Sequence, residues 1–286
     1  MTNIRYKQLI MISAIVLIIG FLFTRDIKGL VKPNESTQGA AATPIEPEAT
    51  TQLNLQEISN TGKNLLNASL AKEITALENA YNTSSEEKKG ERAKVLAQKW
   101  DDLEQAVPSA LYLEIASGKE PSLSNWVLTG DRFLKAFDNT RDSVMQPILL
   151  SKANAAYTSA FALDSTNAAA KTGLGITIVN GMGMPMKGIA MLLEVVRDDP
   201  KNLKANMSLG TFAIKSGQFD KAIIRFKDII AIKPSPDAYF YLGTAYESLG
   251  KNSDAIAAYT KSKELAANAT LSGFIDKKIA ELKEKN

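Results

Sequence analysis

The chain has 286 residues, 45% of them hydrophobic and 23% charged, and its 34 basic and 31 acidic side chains leave a net charge of only +3. So small an imbalance in a well-mixed set of charges argues against a nucleic-acid partner. With no cysteine and no histidine there is no disulfide, thiolate nucleophile, histidine base or Cys/His zinc site. No spacing gathers carboxylates or a Ser-Lys pair for other chemistry, so neither an enzyme nor a cofactor is expected.

Residues 8–24, Q-L-I-M-I-S-A-I-V-L-I-I-G-F-L-F-T, form an uncharged run at the short end of the ~17–25 residues that span a bilayer. Arg5 and Lys7 precede it; Arg25 and Lys28 follow it, offset by Asp26. That bias favours an N-in orientation. The small residues Gly39 to Ala42 lie well beyond the run, farther than a signal-peptide cut usually stands, although a cleaved signal is the alternative. The expectation is a cytoplasmic tail at 1–7, a single transmembrane helix at 8–24 and a flexible tether at 25–51 carrying Pro33, Pro44 and Pro47,. The remainder would lie on the periplasmic or extracytoplasmic side of an inner membrane.

Over residues 52–118 two apolar stripes have helical spacing. The first runs through Leu55, Ile58, Leu65, Leu66, Leu70, Ile74, Leu77 and Tyr81, and the second through Val95, Leu96, Trp100, Leu103 and Val107. They predict a helical hairpin whose apolar faces need either each other or a second copy of the chain. Self-association through 52–118 is therefore an expected partner interaction.

Residues 119–167 bring Trp126, Gly130 and Phe133 at large, small and aromatic positions, then a second helix through Tyr157, Ala160 and Leu163. Extra residues between them, Pro147 included, make this first unit irregular. Beyond it the same pattern recurs at a nearly constant offset. Leu174-Gly175, Gly183, Gly188 and Leu192 are followed by Leu209-Gly210, Gly217, Ala222 and Phe226, and then by Leu242-Gly243, Gly250, Ala255 and Tyr259. Recurrence at a fixed period is the mark of stacked supersecondary units. Gly175, Gly210 and Gly243 are read as places where two helices cross closely; Ala190, Ala222 and Ala255 permit approach from the second helices, and Phe226 and Tyr259 fill the space between. Residues 271–286 read as a terminal helix covering the last unit, with Phe274, Ile275, Ile279 and Leu282 on its apolar side,.

These phased residues resemble the tetratricopeptide-repeat (TPR) family. The resemblance implies an all-α, TPR-like solenoid, here preceded by a helical hairpin and a single N-terminal transmembrane helix, with three regular units over 168–270. It also implies a curved face lined by first helices. The family's groove positions fall on Thr172, Ile176 and Val179 in one unit, on Lys204, Met207, Thr211 and Ile214 in the next, and on Phe240, Thr244 and Glu247 in the last. This mixed, rather apolar lining suits an apolar or helical polypeptide segment better than an acidic tail, for which only Lys204 is suitable. The overall topology looks like that of bacterial membrane-anchored repeat proteins of the cell envelope. The expected function is a non-enzymatic, membrane-anchored interaction module, ancillary to protein export or envelope assembly, and the alternative is a structural scaffold or oligomeric organiser. The alternating methionines of N-G-M-G-M-P-M-K-G at 180–188 read as turn packing, a partner contact or soft Cu(I) ligands.

Overall fold

The structure, a computed structural model, describes residues 53–266 and 269–284. The described residues form thirteen helices. Four come first: α1 (Leu55–Asn64), α2 (Ala68–Asn82), α3 (Glu86–Asp102) and α4 (Ala106–Lys119). Then come four antiparallel pairs, α5 (Leu123–Asn139) with α6 (Met145–Leu163), α7 (Ala168–Gly181) with α8 (Pro185–Asp198), α9 (Leu203–Lys215) with α10 (Phe219–Ile232), and α11 (Pro236–Ser248) with α12 (Asn252–Leu265). A last helix, α13 (Ala269–Glu284), closes the array.

Local chemistry sets the helix starts. Asn67, Ser122, Asn167, Asn202 and Ser235 each stand one residue before a helix and accept the backbone N–H three residues on, at 3.0–3.2 Å. Such side chains satisfy donors that the first helical turn leaves without a partner. Inside the last three pairs the reversal falls on Gly183, Gly217 and Gly250, at φ +68, +73 and +70°. Residues with a Cβ rarely adopt that conformation. The α5–α6 link has no glycine; instead the Asp142 carboxylate accepts the N–H groups of Val144 and Met145 at 2.8 and 3.1 Å.

Each helix packs on its successor, and the first helices of adjacent pairs, α5, α7, α9 and α11, also touch one another directly. The apolar residues accordingly form a series of cores along the array, each shared by two to four successive helices, as in other solenoids,. Pro147 sits in the first turn of α6, where its missing N–H costs nothing. The extra residues of the irregular unit are absorbed by longer helices: α5 has 17 residues and α6 has 19, against 13 or 14 in the three pairs that follow.

The structure corrects the sequence reading at its N-terminal end. No helix among the described residues is long and apolar enough to cross a membrane, and the expected span at 8–24 lies outside those residues, as do the tail at 1–7 and the tether at 25–51. The transmembrane helix, the membrane as a partner, the inner-membrane location with N-in topology and the membrane-anchored architecture are therefore set aside. All rested on one apolar run at the lower length limit for a span. What stands is an all-α, TPR-like solenoid with no membrane-spanning helix among the described residues.

Residues 55–119 also differ, forming four helices where the stripes suggested two. The apolar spacing runs on through Leu65 and Leu66 while the backbone leaves the helix there and Asn67 caps the next one. Leu65 is consequently exposed. A second break, at Glu104, adopts φ +57°. The core positions of α2 and α3 are covered within one chain: Ile74, Leu96 and Trp100 have no exposed surface.

Helix α1 rests on α2 and α4. A buried polar cluster ties it down, in which the Ser59 hydroxyl donates to Glu78, Lys63 Nζ donates to the same carboxylate at 2.6 Å and the Tyr112 hydroxyl donates at 3.3 Å. Glu78 is 5% exposed, so this carboxylate depends on those donors in place of water.

Candidate peptide-binding face on the first helices

The face is shaped by the way aromatic side chains of second helices seat against glycines of first helices. A Cβ added to Gly210 would come within 2.7 Å of the Phe226 ring, and one added to Gly243 within 2.7 Å of the Tyr259 ring. Ala222 and Ala255, on the same second helices, are fully buried. Tyr157 of α6 has the same relation to Gly130 of α5, again at 2.7 Å. Its ring is gripped on the α7 side too, where a Cβ on Gly173 would fall inside the ring's van der Waals envelope. The α7–α8 pair lacks the aromatic. There Leu192 faces Gly175 at 3.2 Å, and a Cβ on Gly188 would come within 2.5 Å of the Gly175 carbonyl oxygen. The close approach on α8 thus belongs to Gly188, whereas Ala190, assigned that role from the sequence, is exposed.

Above this layer, side chains from different pairs meet. Asp131 of α5 forms an ion pair with Lys204 of α9, two pairs further on, and accepts the Tyr157 hydroxyl at 2.6 Å. Lys204 Nζ also lies 3.5 Å from that hydroxyl and 5.7 Å from the ring centroid. Burial, followed by the Asp131 carboxylate, pushes the Tyr157 hydroxyl far above the usual tyrosine range, so it remains a donor,. The bridge passes over α7, which means that the first helices curve enough for alternate ones to touch through their side chains.

One turn or more further along, the C-terminal part of α5 brings Asp138 near the same helices. Its carboxyl is reached by solvent yet hemmed in by its neighbours. That enclosure raises its pKa above the ordinary value, while Lys215 and Lys204 pull the other way. Lys215 Nζ is 3.5 Å from the Asn180 side-chain oxygen and 5.6 Å from the Phe212 ring centroid. On α11, Tyr241 stacks on Phe226 at 5.5 Å. Its hydroxyl is raised by burial, then by Asp237 and Asp138.

The groove residues read from the sequence fall into three groups. On α7, Thr172 is 1% exposed, with a hydroxyl that has no partner among the described residues, and Ile176 and Val179 pack into the cores beneath. On α9, Lys204 is exposed and engaged by Asp131; Met207, Thr211 and Ile214 are partly exposed, and the Thr211 hydroxyl donates to the Ser208 carbonyl. On α11, Phe240 meets the rings of Tyr259 and Phe274 at 5.5 and 6.0 Å. Thr244 donates to the Phe240 carbonyl and lies 3.3 Å from the Tyr259 hydroxyl. Glu247 accepts the Tyr259 hydroxyl at 2.6 Å and Lys278 of α13 at 2.9 Å. The α7 positions thus form the floor, the α11 positions lie against the closing helix, and the α9 positions remain the accessible centre.

Sequence reasoning missed Asp131, Asp138 and Tyr241. The signal for Asp131 was present, since it follows Gly130 as Ile176 follows Gly175 and Thr211 follows Gly210. The irregular length of its unit hid that register. Among the methionines of the α7–α8 turn, Met182 packs against a core while Met184 and Met186 are exposed. Asn206-Met207-Ser208 has the spacing of a glycosylation acceptor,, but the Asn206 side chain is buried and bonded to the Pro200 and Asn202 carbonyls and to Arg225.

The tetratricopeptide-repeat family matches residues 236–268, that is, α11, α12 and the residues just after them. No curated protein matches the chain. Among solved structures, TTC0263, a thermophilic TPR protein of Thermus thermophilus, is similar with a TM-score of 0.54 at 17% identity, covering 68% of this chain and 98% of that one. PilW, described as a widely conserved type IV pilus biogenesis factor, is similar with a TM-score of 0.53 at 19% identity, covering 68% and 85%. At these identities the likeness concerns the fold. The described residues form an array of tetratricopeptide-like helix pairs, of which α11–α12 matches the family model.

Proposed function

We propose that the protein is a protein-interaction module which holds a polypeptide segment against the curved face of α7, α9 and α11. The observation that supports this reading is the Asp131–Lys204 bridge over α7: it brings alternate first helices within side-chain reach, on the face where we place Met207, Thr211 and Ile214. Stacked helix pairs use such concave surfaces for binding extended or helical segments. The chemistry of the trough favours a segment with apolar side chains and charges of both signs. Lys204 is already neutralised by Asp131, so a bare C-terminal carboxylate finds no free clamp there, while Asp138 and Lys215 offer one charge of each sign near Tyr241.

The test is selection of binding peptides from a random display library, followed by calorimetry with variants. Met207→Glu and Tyr241→Ala should each weaken a selected peptide about tenfold or more, and Ile224→Ser, at an exposed position on α10, should leave it unchanged. Equal affinity for all three variants, with folding intact by circular dichroism, would refute the proposal.

A further inference from the structure

A second concavity lies away from the curved face. It runs between α1 and the start of α6, over the start of α4 and the end of α5, with a volume of about 680 Å³, inside the ~300–1,000 Å³ range of ordinary ligand pockets. Ile58, Leu65, Val107, Val144, Met145 and Ile148 give it an apolar lining. Leu65 on the α1 wall and Val144 on the α6 wall are 72% and 64% exposed, an arrangement that water penalises and a partner would relieve.

Its charge is one-sided. Glu57, Glu104 and Asp142 line it, and among the described residues no lysine or arginine does. None of the three carboxylates is in an ion pair among the described residues, although nearby acids are paired, Asp101 with Arg132 and Lys135 and Glu114 with Lys152. Glu104 holds its place on the rim from a left-handed backbone conformation, φ +57°, that favours glycine,.

We propose that this groove is a docking site for a basic amphipathic helix of a partner polypeptide, whose apolar stripe covers Leu65 and Val144 and whose lysines or arginines pair with Glu57, Glu104 and Asp142. A helix satisfies its own backbone hydrogen bonds and so asks little of an apolar bed, whereas an extended strand would bury N–H and C=O groups that this lining does not meet. Acidic flanks beside an apolar floor select cationic helices in preference to acidic ones and speed their encounter.

The experiment follows leucine and valine methyl NMR signals of the full chain during titration with three synthetic peptides. The first carries leucines at i, i+3, i+4 and i+7 with lysines elsewhere; the second has glutamates in place of the lysines; the third has the first peptide's composition with its leucines scattered around the helix. The first should shift the Leu65 and Val144 signals saturably and bind about tenfold more tightly than either control. The double variant Glu57→Lys/Glu104→Lys should remove that preference, and Leu65→Ser should weaken binding without unfolding the protein. Equal binding of all three peptides, or shifts confined to the α9–α11 face, would overturn the proposal. So would broadening of the Leu65 and Val144 signals with protein concentration alone, which would assign the groove to a second copy of the chain. None of these variants touches the curved face, so failure here leaves the peptide-trough reading standing, and the converse holds.

Discussion

Placing a methyl group on Gly173 tests the packing that gives the array its curvature. The Tyr157 ring has no exposed surface, is gripped by Gly130 on one side and Gly173 on the other, and is fixed at its tip by the bond to Asp131. A ring pressed against two glycines from two helices and bound at its end has little room to step aside, so Gly173→Ala should show overpacking of about 1–3 kcal/mol,. Alanine at a helical position regains ~1 kcal/mol over glycine, which lowers the net cost without removing it. Tyr157→Ala alone should cost about 3–5 kcal/mol through lost burial and the cavity left behind. In that background the clash is gone, and Gly173→Ala should become stabilising by ~0.5–1 kcal/mol. The sign reversal is the decisive feature. Urea unfolding of the four proteins, with hydrogen exchange read over α5 to α7 because repeat arrays can open in parts, measures it. An equal cost for Gly173→Ala in both backgrounds would refute the claim that the ring between these two glycines sets the helix spacing.

Three further outcomes follow from named groups. Thr172 carries a buried hydroxyl with no partner among the described residues, so Thr172→Val, which keeps the shape and removes the polar atom, should be neutral or stabilise by up to about 1 kcal/mol in urea unfolding. A loss above that figure would show the hydroxyl to be satisfied. Glu78 receives Ser59, Lys63 and Tyr112; Glu78→Ala should strand Lys63 and speed hydrogen exchange across 55–64 with α7–α12 unchanged, while unaltered exchange in α1 would contradict its role as the tie. Asp138 should titrate by NMR above an ordinary aspartate. Because its folded pKa is raised, the folded state holds the proton more tightly, so its contribution favours folding below the unfolded pKa and is lost as pH rises through the folded one,. Asp138→Asn should therefore gain stability over the parent at neutral pH and match it in acid, and a gain confined to acid would reverse the assignment.

Much of the second half was legible because each feature there is local. Asn167, Asn202 and Ser235 announce helix starts, Gly183, Gly217 and Gly250 mark reversals, and a glycine paired with a later aromatic or leucine marks each close crossing. The first half misled where a local pattern outlasted the structure producing it. Leu65 and Leu66 kept helical spacing through a break, and the apolar run at 8–24 supported a span to which no described helix corresponds. The binding face was only partly readable for a different reason. Whether Asp131 reaches Lys204 depends on curvature accumulated over two pairs, and no single pair's pattern contains it. The same accumulation turns Thr172 into floor and sets Phe240 and Glu247 against α13.

Site-specific photo-crosslinking in the native host puts the central claim at most direct risk. A benzophenone amino acid placed singly at Met207, Thr211, Ile224 or Leu193 samples two positions on the curved face and two exposed positions on second helices. The account predicts a discrete protein adduct from Met207 and Thr211 that Ile224 and Leu193 do not give. Adducts of equal yield from all four positions, or from the second helices alone, would contradict it.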